Sequence, residues 1–260
     1  MSEPAYRRVA AALRSEIHQG RWTPGSTLPP GRKLQERFGV SSTTIKQAIR
    51  ELTSENLVYT ATSRGTIVRN RERLDHVVTR PLRADRPGSG YDIFVETVHA
   101  HGRTPSKKFS FAIEAPPPEI AERLGSGELA VRRELVQNVD GEPWSWEISY
   151  YPRDLADETG IDSPNDIQEG TTRRLRDRGY AETAWIDETT SHPAEPDEAH
   201  ALSVPSGTWI SDFIRTGATA DRITRVTRTR RLAERNRIVH ELGDDAGLSV
   251  IQGVRAVDNA

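Results

Sequence analysis

The chain has 260 residues, with 36 Lys and Arg against 38 Asp and Glu, for a formal net charge of −2. That balance excludes a protein whose whole surface coats nucleic acid or an anionic membrane. Hydrophobic residues make up 35% and cysteine is absent, which excludes disulfides and thiolate chemistry but leaves material for one large or two ordinary domains. No apolar run approaches the ~20 residues that span a bilayer. The opening MSEPAYRRVAAALRSEI lacks the apolar stretch of a secretion signal, so a cytoplasmic location is expected. The total hides an asymmetry. Residues 1–80 carry 14 basic and 7 acidic side chains, a balance of +7, while residues 81–260 carry 22 and 31, a balance of −9. An anion-binding module joined to a module of another kind is implied.

In chain order, Tyr6, Val9, Ala10, Leu13 and Ile17 share one helical face, predicting a helix from Tyr6 to Gln19 that Gly20 ends. Trp22-Thr-Pro-Gly25 predicts a turn. A second helix is predicted from Gly31 to Phe38, with Gly39 behind it. Ser41 is placed to cap a third helix, Ser42 to about Glu55. Its apolar face is Ile45, Ala48, Ile49 and Leu52, while Thr43, Thr44, Lys46, Gln47 and Arg50 fall largely elsewhere. The short turn Phe38-Gly39-Val40-Ser41 makes the pair a predicted helix-turn-helix. Leu57-Val58-Tyr59 and Thr66-Ile67-Val68 flank a polar loop and predict a hairpin. Three helices and a hairpin make a winged helix. Short polar side chains and an amine at the start of the third helix suit a DNA major groove, where they reach base edges and phosphates. The alternative is a structural domain with a solvated basic face. Residues 71–90 lose apolar periodicity and end in Pro and Gly, which predicts an exposed linker.

Farther along, a helix is predicted around Ile93–His101, a strand over Phe109–Ile113, and a Pro-initiated helix from Pro116 to Leu124 stopped by Gly125. Ala130–Asn138 and Pro143–Tyr151 flank Asp140-Gly141 and predict a β-hairpin. A helix is expected over Pro164–Arg178, with Ile167, Thr171 and Leu175 four apart. Thr183–Ser191 alternates weakly, and Glu195–Leu202 predicts a short helix. Trp209–Thr216 and Arg222–Arg231 predict paired strands, and the Arg-rich run Arg222–Arg237 is expected as a solvated strand face, with a second nucleic-acid surface as the alternative. The class is α+β on an antiparallel sheet. His99 and His101 are two apart and point away from each other on a helix, so no metal site is expected. No nucleophile elbow, HExxH, P-loop or GxGxxG occurs, and neither catalytic residues nor a cofactor are expected.

Residues 5–70 resemble the GntR family of bacterial winged-helix transcription regulators. The resemblance rests on Tyr6, Ile17, Gly20, Pro24-Gly25, Leu28-Pro29, Arg32, Leu34, Phe38-Gly39-Val40-Ser41, Thr43-Thr44-Ile45, Ala48, Leu52, Leu57 and Arg64-Gly65-Thr66. It implies DNA contacts from Arg32, from Ser42-Thr43-Thr44 and Lys46, and from Arg64-Gly65 in the wing. Ser41 at the cap and Gln47 complete the candidate DNA-binding set. Ser42 and Lys46 stand where the family pattern has Arg, and Pro30-Gly31 where it has Ser-Glu. Lys is a point charge and Ser is shorter, so neither repeats a bidentate grip on guanine.

Residues 91–240 resemble the effector-binding UTRA domain of the HutC subfamily. The matching residues are His101-Gly102, Pro105, Leu124-Gly125, Asp140-Gly141-Glu142-Pro143, Glu147, Tyr150-Tyr151-Pro152, Glu198-Ala199, Leu202, Gly207 and Arg215-Thr216. The resemblance implies a chorismate-lyase-like antiparallel sheet with flanking helices, a small-molecule effector and a homodimer. Phe94, Glu147, Arg215 and Arg231 match positions that line the effector pocket. Leu135 and Gln137 stand where phosphosugar-binding members carry Arg-x-Arg. Arg132 and Arg133 lie one to two residues earlier, out of place for that role, so an effector other than a simple phosphosugar is expected. The organisation expected is a winged helix over 1–70, a linker over 71–90 and an effector and dimerisation domain over 91–250. The function expected is a transcriptional repressor released from double-stranded operator DNA by its effector. The alternatives are a second domain that serves only dimerisation or partner binding, and an enzyme of lyase-like fold.

Overall fold

The computed structural model describes residues 3–61, 65–69, 74–79, 92–244 and 246–251. Helix α1 (Ala5–His18) forms where apolar residues recur on one face, and Val9, Ala10 and Leu13 are buried along it. Helix α2 (Gly31–Phe38) ends at Gly39, whose φ of 62° is the left-handed cap that lacks a steric penalty only in glycine. Helix α3 (Ser42–Ser54) starts at Ser41, whose hydroxyl accepts from the Thr44 N–H at 3.2 Å. Strands β1 (Val58–Ala61) and β2 (Gly65–Val68) pair antiparallel, and Thr27 bridges to Ile67. Leu13, Leu28, Leu34, Ile45, Leu52 and Val68 meet in one core. Arg14 Nε donates to Glu55 Oε2 at 2.7 Å and ties α1 to the residue that follows α3. The predicted winged helix is therefore present element by element. Arg64, at the expected tip of the wing, lies outside the described residues.

The chain divides into two units, one of Met1–Glu72 with Pro193–Trp209 and one of Arg73–His192 with Ile210–Ala260. Helix α8 (Pro196–Ala201), with a capping box between Glu195 and Glu198, thus groups with the winged helix. Arg69 Nη2, just past β2, donates to the Ser203 carbonyl beyond α8 at 2.7 Å.

The second unit begins with β3 (Leu74–Val77) and α4 (Ile93–Ala100), followed by β4 (Pro105–Glu114), α5 (Pro118–Leu124), β5 (Ala130–Val139), β6 (Glu142–Pro152), α6 (Arg153–Thr159), α7 (Thr171–Asp177), β7 (Ala184–Pro193), β8 (Trp209–Ala218), β9 (Ile223–Leu232) and β10 (Asn236–Val239). Six strands form one sheet in the order β4-β5-β6-β9-β8-β7. The hairpin β5–β6 turns on Asp140 (φ 53°) and Gly141 (φ 80°), the left-handed pair that matches strand twist. The class is α+β, as predicted.

Three elements differ from the sequence expectation. Part of the predicted linker is a strand: β3 pairs parallel with β10, Leu74 opposite Asn236. The partner lies some 160 residues away, so no local signal marks it. Trp144, fully buried, anchors the pair by donating to Asn236 Oδ1 at 2.7 Å. The predicted helix Pro164–Arg178 shrinks to α7. Gly170 has φ 82° and interrupts it, and Ile167 still packs with Leu175 from a loop. Helix α6 was not predicted; it starts directly after Pro152, where the strand signal runs out.

Gly170 faces a double constraint, since an added Cβ would also sit 3.2 Å from Asp92 Cβ. Gly170→Ala is expected to destabilise the protein by about 1–3 kcal/mol. Urea unfolding checks this, and an unchanged midpoint contradicts it.

Candidate functional site

The first surface of interest is the start of α3. The inward turn of Ile45, Ala48 and Leu52 leaves Ser41, Ser42, Thr43, Lys46, Gln47 and Arg50 exposed. Thr44 is half-buried. Its hydroxyl lies 2.9 Å from Ser41 Oγ, so these two side chains serve the helix cap first. Arg32 on α2 is exposed and pairs with Glu36 at 3.2 Å, a surface pair that a phosphate displaces at little cost. Gly65 opens β2 with φ 81° and is exposed.

The second is a cavity of about 390 Å³ in the sheet unit. Side chains alternate across a strand, so one face of the sheet becomes its floor. That floor is Arg133, Leu135 and Gln137 of β5, Glu147, Ser149 and Tyr151 of β6, Phe213 and Arg215 of β8, and Arg225, Thr227, Thr229 and Arg231 of β9. The remaining walls are β3, α4 and the chain from Asp166 into α7. All four predicted pocket residues, Phe94, Glu147, Arg215 and Arg231, line this one space.

The floor is dominated by guanidinium groups, and each is answered differently. Arg225 makes two bonds to Glu182 at 2.8 and 2.9 Å and reaches Thr172 Oγ1 at 2.9 Å. Despite burial, Glu182 is held below the usual carboxylate range by Arg225. Arg215 makes two bonds of 2.6 Å to Asp187 and donates to the Val78 carbonyl at 2.9 Å. Arg133 donates to the carbonyls of Ile161, Ser163 and Asn165 at 2.7–2.9 Å and stacks 4.5 Å from the Phe109 ring. Arg231 is 8% exposed, and its Nε and Nη1 have no hydrogen-bond partner among the described residues. Burial lowers its pKa to about 10.

Carboxylates at the cavity also separate by environment. Burial pushes the Glu147 carboxyl up, against the pull of Arg231 and Arg225. Its hydrogen-bond contact with Thr229 Oγ1 is long, at 3.5 Å. Asp92 caps α4 through the Val95 N–H at 3.0 Å and pairs with Lys107, which also meets Asp166 at 3.1 Å. His76 is lowered to about 3, first by burial and then by Arg231, and its Nε2 lies 2.7 Å from Asn236 Oδ1.

Two sequence expectations are corrected. Arg133 shares the cavity face, since it lies two residues before Leu135, but its donors are taken by three backbone carbonyls, whereas Arg132 pairs with Glu134 on the other face. The arginines of β9 are not all on a solvated face, although Arg228 and Arg230 stay half-exposed. Arg225 and Arg231 are buried on the cavity floor, Arg228 bonds Asp212 at 2.9 and 3.0 Å, and Arg230 stacks 4.7 Å from the Trp146 ring. The period-two run Arg225-Thr227-Thr229-Arg231 is the signal that could have found the floor. Its polar composition disguised an inward face. Nothing local marks His76, because β3 is itself set by a distant partner. Among the described residues no group of three or more His, Cys, Asp or Glu is arranged to hold a metal ion, and no helix is long and apolar enough to cross a membrane.

Residues 5–68 match the bacterial regulatory proteins of the gntR family, and residues 100–237, over half of the chain, match the UTRA domain. The HTH-type transcriptional repressor NagR of Bacillus subtilis is 28% identical over 158 residues, which cover 60% of each chain. The HTH-type transcriptional regulator SCO4628 of Streptomyces coelicolor is 27% identical over 229 residues, 84% of each chain. The crystal structure of PhnF from Mycobacterium smegmatis shares the fold, with a TM-score of 0.55 and 21% identity over 91% of this chain and all of PhnF. The match to NagR spans about three fifths of that relative's length.

Removal of one partner from a buried ion pair strands the other. Arg225→Ala is expected to cost about 3–5 kcal/mol, because Glu182 keeps only 2% of its side chain exposed. An unfolding midpoint close to wild type contradicts this. His76 stays neutral in the fold to about pH 3, while the unfolded imidazole protonates below about 6.5. Its contribution is therefore fully present above pH 6.5 and is lost as pH falls toward 3. Thermal melts between pH 6.5 and 4.5 are expected to be flatter for His76→Gln than for wild type. Identical slopes contradict it.

Proposed function

The chain belongs to the GntR family of bacterial regulatory proteins and carries a UTRA domain, and from that premise we propose that it is a sequence-specific transcriptional regulator whose hold on operator DNA is set by a small molecule in the sheet cavity. The observation that carries this reading is one chain holding both an exposed polar recognition face on α3 and an arginine-floored cavity of about 390 Å³.

In this reading residues 1–70 dock on DNA. Ser42, Thr43, Lys46 and Gln47 enter the major groove, Arg32 meets a phosphate, and Arg64-Gly65 follow the backbone into the minor groove. Ser41 and Thr44 hold the cap and direct the N–H groups of the first turn toward phosphate. Residues 91–250 hold the effector against Phe94, Glu147, Arg215 and Arg231, and they join two copies. A dimer doubles the phosphate contacts of one small module and sets half-sites about one helical turn apart. The protein acts in the cytoplasm. Its sign is repression, as the name of NagR describes for that relative, and in this reading the effector releases it from the operator.

A ligand shifts DNA affinity only through different affinities for two arrangements of the protein. Strand β3 is placed to report occupancy. It walls the cavity, Arg215 holds the Val78 carbonyl just beyond it, and it lies in the stretch of chain that leads back to the winged helix.

Lys46→Ala and Thr43→Ala are each expected to weaken operator binding by about 1–3 kcal/mol, with Lys46→Ala also lowering the salt dependence. Lys108→Ala, the same charge change on exposed β4, serves as the control. Fluorescence anisotropy on the operator selected by the full chain measures this. Unchanged affinity in both α3 variants contradicts the assignment.

A further inference from the structure

The arginines of the cavity floor differ in what already occupies them. Arg215 and Arg225 carry their own carboxylates, each through two bonds of 2.6–2.9 Å. An incoming anion would have to expel Asp187 or Glu182, which burial and geometry oppose. Arg133 is saturated by three backbone carbonyls. Arg231 is as buried as these, yet its Nε and Nη1 meet no acceptor among the described residues. A buried cation without acceptors is costly and is stabilised by whatever supplies them.

The neighbours of Arg231 supply no hydrogen-bonded counter-charge, although the Glu147 carboxyl acts on it through space. Register places Ser145 and Ser211 opposite it, and Thr229 opposite Glu147. Glu147 is thus its diagonal neighbour across β6 and β9, and no ion pair joins the two among the described residues. The Ser145 hydroxyl is spent on Gln137 Oε1 at 2.5 Å. On β5, Leu135 and Gln137 add no charge. The adjoining floor offers hydroxyls at Ser149, Thr227 and Thr229, with Ser149 and Thr227 2.9 Å apart.

We propose that the molecule taken into this cavity is a small polar acid whose oxyanion, a carboxylate or a phosphoryl group, is received by Arg231, while the threonine and serine hydroxyls bind its polar body. This rests on the reading of the cavity as the effector site. It adds where the charge goes: to β9, not to the Leu135 and Gln137 positions of β5. The planar guanidinium offers paired donors to two oxygens of one oxyanion.

The test follows the arginine Nε–Hε signals of the full-length chain by NMR in low-chloride buffer, with Arg231 assigned through Arg231→Lys. Acetate, inorganic phosphate and the neutral isostere acetamide are titrated in turn. The expected result is a saturable shift of the Arg231 signal with at least one anion and none with acetamide. Acetate alone points to a carboxylate ligand, phosphate alone to a phosphoryl group, and both to the shared oxyanion chemistry. No saturable shift with either anion overturns the proposal, as does an equal response to acetamide. A second measurement separates this from the effector reading. The protein-free small-molecule fraction of a cell extract is titrated against the operator complex of wild type and of Arg231→Gln, with folding of the variant verified by circular dichroism. Release of wild type with at least about tenfold loss of potency in Arg231→Gln supports the proposal. Equal release of both overturns the role of Arg231 and leaves the effector reading standing. Failure to release wild type counts against the effector reading itself, while the anion titration still decides the receptor.

Discussion

A guanidinium taken out of water must be given acceptors, and the sheet unit is organised around that requirement. The floor of the sheet turns Arg133, Arg215, Arg225 and Arg231 inward. Three of them reach past the strands to fix the walls. Arg133 gathers the carbonyls of Ile161, Ser163 and Asn165, Arg215 holds the Val78 carbonyl beside β3, and Arg225 reaches Thr171 and Thr172 at the start of α7. The walls therefore depend on the floor. A loop, a short strand and a short helix are held both by these bonds and by apolar packing, Ile161 and Ile167 with Leu175 and Leu74 with Trp144. The fourth arginine, Arg231, has no such wall to hold, which makes it the natural receptor for a guest.

The winged-helix unit obeys a different economy. Its core is apolar and local, and its polar groups point out. Glu16 gathers Trp22 Nε1 at 2.8 Å and Arg37 Nη1 at 3.0 Å, so Arg37 holds its carboxyl below the usual range and braces α2 against α1. The side chains on the recognition face are left to solvent. The charge asymmetry between residues 1–80 and 81–260 gains a mechanism in the proposed function. The basic module docks on the duplex, and the acidic module is repelled from it, which limits indiscriminate binding.

How much of this the sequence discloses depends on the range of the interaction. The caps at Gly39 and Ser41, the Asp140-Gly141 turn and the apolar stripe of α3 are local, and each appears where its residues predict. The four pocket residues also converge, because period two on β6, β8 and β9 sends them to one face. Local pattern fails where a distant partner decides. The sequence Leu74–Val77 becomes a strand because β10 and Trp144 wait for it, and Gly170 caps the start of a helix that periodicity alone would begin several residues earlier. The arginines of β9 mislead for a related reason. Alternating Arg and Thr reads as a wet face unless one knows that Glu182, Asp187 and a cavity stand opposite.

One chain thus couples a DNA-binding face to a small acid held in the arginine-floored cavity. Native mass spectrometry of the protein–operator complex, titrated in turn with the anionic and the neutral small-molecule fractions of a cell extract, reads this coupling. The anionic fraction is expected to add the mass of one acidic molecule per chain, with loss of DNA from the same population. Full DNA occupancy with the small molecule bound, or binding only from the neutral fraction, overturns the coupling.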